Sequence, residues 1–408
     1  MIFSDIKLSN ADYGLIVIVC VLILIGLAAI YSASFHVESS TLKSNFTKQI
    51  IWFFLGIIAL VATILIPLRV FWSISYWAYG ISIILLILPL FLGSVVDVHR
   101  WIVLGPIKLQ PSEFAKIGVL LALARYLAED RRNLENLKEV IISFVIIIFP
   151  FLLVVKQPDL GTALVFASLI LPVIYWAGLP TYLLFIIVAP FISLVSAFNF
   201  YTFLAAMIII GSILFLFHRG LRYFLINMTL NISVGVITPF LWGKLHSYQQ
   251  HRILTFLGLE LDPRGAGYQV IQSKVAIGSG GFWGKGFLNG TQTQLRFLPA
   301  QHTDFVFSVI GEEFGFIGVT VILTIFYFII IRGIYIASVT RNTFASLVTV
   351  GVVTIIGFHV IVTIGMTVGM MPVTGIPLPF ISYGGSSLIT SMILVGFIIN
   401  ASTRRYEY

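Results

Sequence analysis

A single cysteine, Cys20, and very little charge are what this 408-residue chain most visibly lacks: Asp, Glu, Lys and Arg together make up 10% of it. One cysteine excludes a disulfide framework and a thiolate metal site, and says nothing of redox compartment. So little charge, beside 59% hydrophobic residues and a mean hydropathy of +1.05, excludes a soluble globular domain. Internal repeats, low-complexity tracts and linker composition are also missing. Neither a transporter built from recognisable halves nor an appended soluble domain is therefore announced. The net charge of +8 comes without a basic stripe interleaved with aromatics outside the apolar runs, which argues against nucleic acid as a partner.

What is present is length of apolar run. Continuous runs fall at 13–34, 47–66, 70–92, 112–128, 139–155, 160–177, 181–198, 200–217, 221–242, 304–331, 343–369 and 384–400. A bilayer core takes about 20 helical residues per crossing, so these make twelve candidate crossings. A membrane barrel would show ~10-residue alternating segments instead, and helices are the remaining way to satisfy every backbone group in lipid. The small residues YSAS at 31–34 would suit a signal-peptide cleavage site. The first run is too long for that and has only Lys7 as a basic residue before it, so a retained first helix is expected. The fold class is therefore all-α: a polytopic membrane helical bundle of about 12 transmembrane helices, residues 1–408 forming one integral membrane domain.

Orientation follows from the basic residues. With the N-terminus inside, twelve Lys and Arg fall in the inner short connections and ends, Arg69, Arg125, Arg332 and Arg404 among them, against six in the outer ones. The positive-inside rule then makes the N- and C-termini cytoplasmic and the long 243–303 segment a large extracytoplasmic loop.

Polar residues concentrate in four outward places: the stretch ending QPSEFAK at 110–116, KQPDLGT at 156–162, the loop running into HTDFVFSVIGEEFG at 302–315, and PVTGIPLPFISYGGSS at 372–387. Their convergence on one side points to a single outward site. Pro111 suits the start of a helix, which puts Glu113 and Lys116 on one face. They are either an interfacial ion pair or part of a polar cavity shared with Lys156 and Asp159, which flank the break at Pro158. Glu312 and Glu313, set into a crossing, read either as a proton path or as a structural cluster paired with Lys or Arg. His359 has no second ligand at metal spacing and reads as a hydrogen-bonded core residue.

The loop carries nine glycines between 258 and 290. GSGGFWGKG fails as a phosphate-binding Walker loop, with Ser279 in place of the first glycine and Gly286 after Lys285 where Ser or Thr belongs, and Trp283 spoils a dinucleotide fingerprint; no nucleotide is expected. Glycines here let the backbone approach itself or a ligand closely, and Lys274, Lys285 and Arg296 are available to an anionic group. Asp262 precedes Pro263 and, by itself, reads as the start of a turn.

RWI at 100–102, QPSEFAK, KQPDLGT, DPRGAGYQVIQSKVAIGSGGFWGKG at 262–286, GTQTQLRFLPAQHTDFVF at 290–307 and PVTGIPLPFISYGGSS, in this order over nearly the whole chain, resemble the SEDS family (shape, elongation, division and sporulation), the RodA branch more than the FtsW branch. The resemblance implies a peptidoglycan glycosyltransferase of the bacterial inner membrane that polymerises lipid II during elongation beside a class B penicillin-binding protein. It places the family's catalytic aspartate on Asp262 and its polar cavity on Glu113, Lys116, Lys156 and Asp159, with Trp101 at the family's tryptophan. Lys274, His302, Asp304 and Ser382, in the matched segments, complete the candidate substrate-binding set.

Departures from the family pattern are Gly258 and Leu259 where an earlier Asp-Pro often stands, Ala300 for Glu, Thr363 for Asn, and two crossings beyond the family's ten, assigned to an extra helical pair between 178 and 242. On this reading Asp262 is the general base on the acceptor hydroxyl. Lys116, Lys156 or Lys274, with a divalent ion such as Mg or Mn, meets the departing diphosphate. The polyprenyl tails stay among membrane lipids. Two other functions remain: a lipid II flippase coupled to protons through Glu312, Glu313 and His359, and a non-catalytic scaffold that docks wall-building partners on its loop.

Overall fold

A computed structural model describes residues 12–35, 40–92, 100–104, 107–129, 133–217, 220–245, 250, 254, 266–295, 297–298 and 300–405. Asp262 and Arg296 lie outside the described residues.

Every apolar run of the sequence carries helix. The helices are α1 (Tyr13–Ser34), α2 (Ser40–Leu65), α3 (Leu68–Leu92), α4 (Pro111–Ala128), α5 (Leu137–Lys156), α6 (Leu160–Ser168) with α7 (Ile170–Trp176), α8 (Thr181–Ser196), α9 (Phe200–Leu216), α10 (Leu221–Lys244), α11 (Ala266–Gly280), α12 (Thr291–Gln294), α13 (Val306–Val339), α14 (Thr343–Thr367) and α15 (Gly385–Thr403). Eight of these are long and apolar enough to cross a membrane, and α6 with α7, α8 and α9 are shorter apolar helices. Residues rich in Ile, Val and Phe, which would favour strands in water, are helical here because lipid offers the backbone no other partners. The only strands among the described residues, β1 (Ile102–Leu104) and β2 (Ile107–Leu109), form a small antiparallel hairpin before α4, pairing Ile102 with Leu109.

The chain divides into two compact units, residues 1–177 with 262–408, and residues 178–261. In the first, α14 and α15 are central, 78% buried over their most apolar stretches, whereas the other long helices are 39% buried or less. α4 joins them, with Val119, Leu120 and Leu123 fully buried. Close packing depends on missing side chains: a Cβ on Gly351 would come within 2.0 Å of Leu120, and one on Gly26 within 2.7 Å of the Ile381 backbone. The second unit holds α8, α9 and α10, packed through Ala189, Ala206, Met207, Ile210 and Leu214. A buried hydrogen bond from Ser193 to Asn231, 2.7 Å, ties α8 to α10.

The long loop is more structured than its composition suggests. α11 descends alongside α13, with Ser273 Oγ 2.6 Å from Ser308 Oγ and 2.6 Å from the Thr367 carbonyl. α13 itself is broken at Gly315, whose φ of 63° and ψ of −158° leave the helical region.

Candidate functional site

The segment 369–384, between α14 and α15, is a strap that the 156–162 stretch and the loop touch directly, and that the 110–116 stretch reaches through His359. Beneath it, Glu113 Oε1 and Lys116 Nζ are 2.8 Å apart, one turn apart on α4 as their spacing predicts. Lys116 Nζ also lies 3.2 Å from His359 Nε2, and His359 Nδ1 lies 3.2 Å from the Pro377 carbonyl. A carbonyl only accepts, so Nδ1 carries the imidazole proton and Nε2 accepts from the ammonium. Lys116 is 1% exposed and Glu113 and His359 3% each. Removing charges from water costs several kcal/mol each, a cost offset here by a chain in which Lys116 has two partners. His359 is thus a hydrogen-bonded core residue, and its tie to Lys116, 243 positions away, is a feature that sequence spacing does not contain.

The Pro158 break lies beside this chain. Asp159 caps α6, accepting from Thr162 N at 3.2 Å and Thr162 Oγ1 at 3.0 Å, and takes a third hydrogen bond from Gln110 Nε2 at 3.1 Å. Gln110, in turn, donates its backbone N–H to Ser386 Oγ. The carbonyls freed at the break are met by Arg100, which donates to Gln157 O at 3.0 Å and to Pro158 O. Arg100 and Gln110 therefore fasten the β1–β2 hairpin and its exposed Trp101 to the α5–α6 turn. Both sit inside the matched motifs, but local spacing gives neither a role, because their partners lie about 50 residues on. Lys156, at the end of α5, is exposed and has no ion-pair partner among the described residues.

The start of α13 meets the other end of the strap. Ser382 Oγ donates to the Thr303 carbonyl, 2.7 Å, and accepts from Leu378 N, 2.8 Å, so its hydroxyl is consumed in holding strap to loop. Tyr383 N donates to His302 O at 2.9 Å, with the two rings 5.8 Å apart. Burial lowers the His302 pKa from its ordinary 6.5, so the ring is neutral at pH 7, and burial raises that of the Tyr383 phenol. Asp304 is half-buried beside Gly375, where an added Cβ would lie 3.5 Å from its carboxylate. The exposed Lys274 lies over Gly369. Glu113 and Lys116 are thus in direct contact, Asp159 joins the same end of the bundle through Gln110 and Ser386, and Lys274, His302, Asp304 and Ser382 follow the strap.

The glycine-rich turn after α11 has a different task. Breaking α13 at Gly315 frees backbone groups on both sides, and the turn supplies their partners: Lys285 N donates to Glu312 O and Gly286 N to Glu313 O, both at 3.0 Å, while Phe316 N donates to Gly281 O at 2.9 Å. A Cβ on Gly284 would stand 2.1 Å from Glu313 O, and one on Gly315 2.3 Å from Gly284 N, so the two backbones touch only because both residues are glycine. Glu312 completes the joint, accepting from Gln292 N (2.8 Å), Thr293 N (3.0 Å), Thr293 Oγ1 (2.8 Å) and Lys285 Nζ (2.9 Å). A carboxylate at the N-terminus of a helical turn is favourably placed. Glu312 is a structural carboxylate paired with a lysine, one of the two readings of the sequence, and Lys285 is occupied by it. Glu313 is 1% exposed and accepts from Ser32 Oγ of α1.

No group of three or more His, Cys, Asp or Glu able to hold a metal ion occurs among the described residues. Glu113, Asp159 and Glu312 are each committed to protein partners.

A helical bundle with eight clear membrane spans and one end closed by buried ion pairs, a hairpin and a strap defines the chain as a multi-pass membrane protein. Comparison with known proteins makes the class particular. The FtsW/RodA/SpoVE family model, described as cell cycle protein, matches residues 13–209 and 199–407, and the chain belongs to that family. It is 38% identical over 353 residues, 86% of this chain and 84% of the relative, to the peptidoglycan glycosyltransferase MrdB of Escherichia coli. It is 33% identical to the peptidoglycan glycosyltransferase RodA of Treponema pallidum, over 97% of this chain and 98% of that one. Among solved structures it resembles a chain of a peptidoglycan synthase complex that coordinates polymerization and crosslinking, with a TM-score of 0.73, 29% identity and coverage of 98% and 99%. The RodA of Thermus thermophilus matches with a TM-score of 0.63, 26% identity and 98% of each chain.

Proposed function

We propose that the chain is a peptidoglycan glycosyltransferase that polymerises lipid II during elongation, with Asp262 as the base that accepts the proton of the attacking sugar hydroxyl. The observation that carries the reading is 38% identity, over 86% of the chain, to a relative named for that activity. The gathering of the matched polar segments around one strap at one end of the bundle supports it. Attack of the hydroxyl on the anomeric carbon breaks the bond to the polyprenyl diphosphate, which leaves with the bonding electrons. A positioned base contributes on the order of a hundred- to ten-thousand-fold in such a step.

The diphosphate is best met by Lys156 and Lys274, which are exposed and have no ion-pair partner among the described residues. Lys116, buried between Glu113 and His359, holds the floor of the site rather than the leaving group. The described residues offer no cage for a resident divalent ion, so Mg or Mn is assigned to the substrate's diphosphate and carries no step here. Location in the bacterial inner membrane with both termini cytoplasmic, and a class B penicillin-binding protein as partner, complete the reading. The latter is supported by likeness to a chain of a complex that also crosslinks.

The test is to give the purified protein lipid II, alone and with its cognate penicillin-binding protein carrying a dead transpeptidase site. Glycan polymer is expected. Translocation of lipid II across liposomes with no polymer in either condition would replace the enzyme by a flippase. Neither polymer nor transport would leave a scaffold.

A further inference from the structure

We propose that the turn Gly281–Phe287 is a membrane anchor: its aromatic side chains seat the loop in the lipid–water boundary and hold α11 at fixed depth. The occupant of this surface is phospholipid, at the level where headgroup meets acyl chain. The inference rests on helix lengths and exposed aromatics and stands independently of the proposed activity.

Depth is given twice. α1 has 22 residues, just enough to span, and Tyr31 in its last turn stacks on Phe287 with centroids 6.4 Å apart. The turn is therefore level with the end of a spanning helix. α13 has 34 residues, about 51 Å at ~1.5 Å per residue, against a hydrocarbon core of about 30 Å. Its segment beyond the Gly315 break, 316–339, suffices to cross, which puts the break and the turn docked in it at the boundary.

Chemistry agrees with depth. Trp283 is 78% exposed, Phe282 58% and Phe287 41%, three large apolar groups on a segment that is otherwise glycine and lysine. Phe282 stacks on Phe316 at 5.7 Å and meets Trp283 edge-on at 5.5 Å. Phe316 heads a stripe of exposed apolar residues on one face of α13, with Leu323, Tyr327 and Ile331, the kind of surface a spanning helix turns to lipid. The patch continues that lipid-facing surface rather than standing alone. Aromatic residues with one apolar and one wet edge favour this boundary. Ile271 and Val275 expose an apolar edge of α11 on the same approach.

The experiment compares tryptophan fluorescence of the full-length protein and of Trp283→Phe, reconstituted in phosphatidylcholine vesicles, with lipid brominated near the headgroup, lipid brominated near the methyl end, and aqueous iodide as quenchers. The emission lost in the variant is expected to be the part quenched most by shallow bromines. As a second readout, Trp283→Cys in a Cys20→Ser background carries an environment-sensitive dye, whose emission is expected to shift to the blue on reconstitution. Quenching by iodide without quenching by either lipid would make the patch a water-facing surface, open to a protein partner, and overturn the proposal. So would absence of quenching by any of the three, which means that protein covers it.

Discussion

Lys116 is the residue on which the buried ion pairing turns, since its ammonium is shared between the Glu113 carboxylate and the His359 ring. Removing one side of a buried pair typically costs about 3–5 kcal/mol because the survivor is left charged and dry. Lys116→Met is accordingly expected to lose stability on that order in detergent thermal unfolding. The double replacement Lys116→Met with Glu113→Gln, which leaves no lone charge, is expected to recover much of it. At His302 the sign of the pH dependence is set. Burial lowers its pKa below 6.5, so the unfolded chain binds a proton first as pH falls, and stability present above that value drains away below it. His302→Gln is expected to flatten the unfolding midpoint between pH 7 and pH 5 relative to the parent, a window chosen to bracket that ordinary pKa. An unchanged slope would mean that His302 is as solvated folded as unfolded.

Among the elements, the joint between the glycine-rich turn and the broken α13 invites the sharpest test. Gly284→Ala and Gly315→Ala each drive a methyl group into backbone and sit at positive φ, 81° and 63°. Each is expected to destabilise by more than about 1 kcal/mol. Gly278→Ala, with open space around it inside α11, is expected to be neutral or slightly stabilising. Limited proteolysis of the 285–305 region, quickened in the first two variants and not in the third, would report the joint directly. Helices were the most legible part of the sequence, because apolar length alone dictates them in lipid and every run carries helix, the 160–177 run as the pair α6 and α7. The sequence left Glu312 with two readings, of which its pairing with Lys285 selects the structural one. The Glu113–Lys116 contact was legible from three-residue spacing, and the core role of His359 from the lack of a second ligand at metal spacing. The break at Gly315 was not, because its cause is a docking turn some 30 residues upstream. Nor was the capping role of Asp159, although Thr162 at helical cap spacing was the signal that carried it.

At the scale of the molecule, basic residues gather at the end opposite the strap. Arg404, 2% exposed, donates to the carbonyls of Leu65 and Ile66, while Arg125 meets Trp72 O and Ser73 O; both close the ends of neighbouring connections. These arginines belong to the set that the positive-inside rule places in the cytoplasm. A membrane-impermeant maleimide is therefore expected to label Trp101→Cys, in a Cys20→Ser background, from outside intact cells. Labelling only after the membrane is opened would invert the topology and the site with it. The proposed base is the loop carboxylate Asp262. The most direct measurement is glycan chain formation from lipid II by Asp262→Asn, in complex with its penicillin-binding partner and checked for unaltered thermal stability. Loss of polymer by a hundredfold or more is the expected result for a missing general base, and polymer formed at the parental rate would contradict the account.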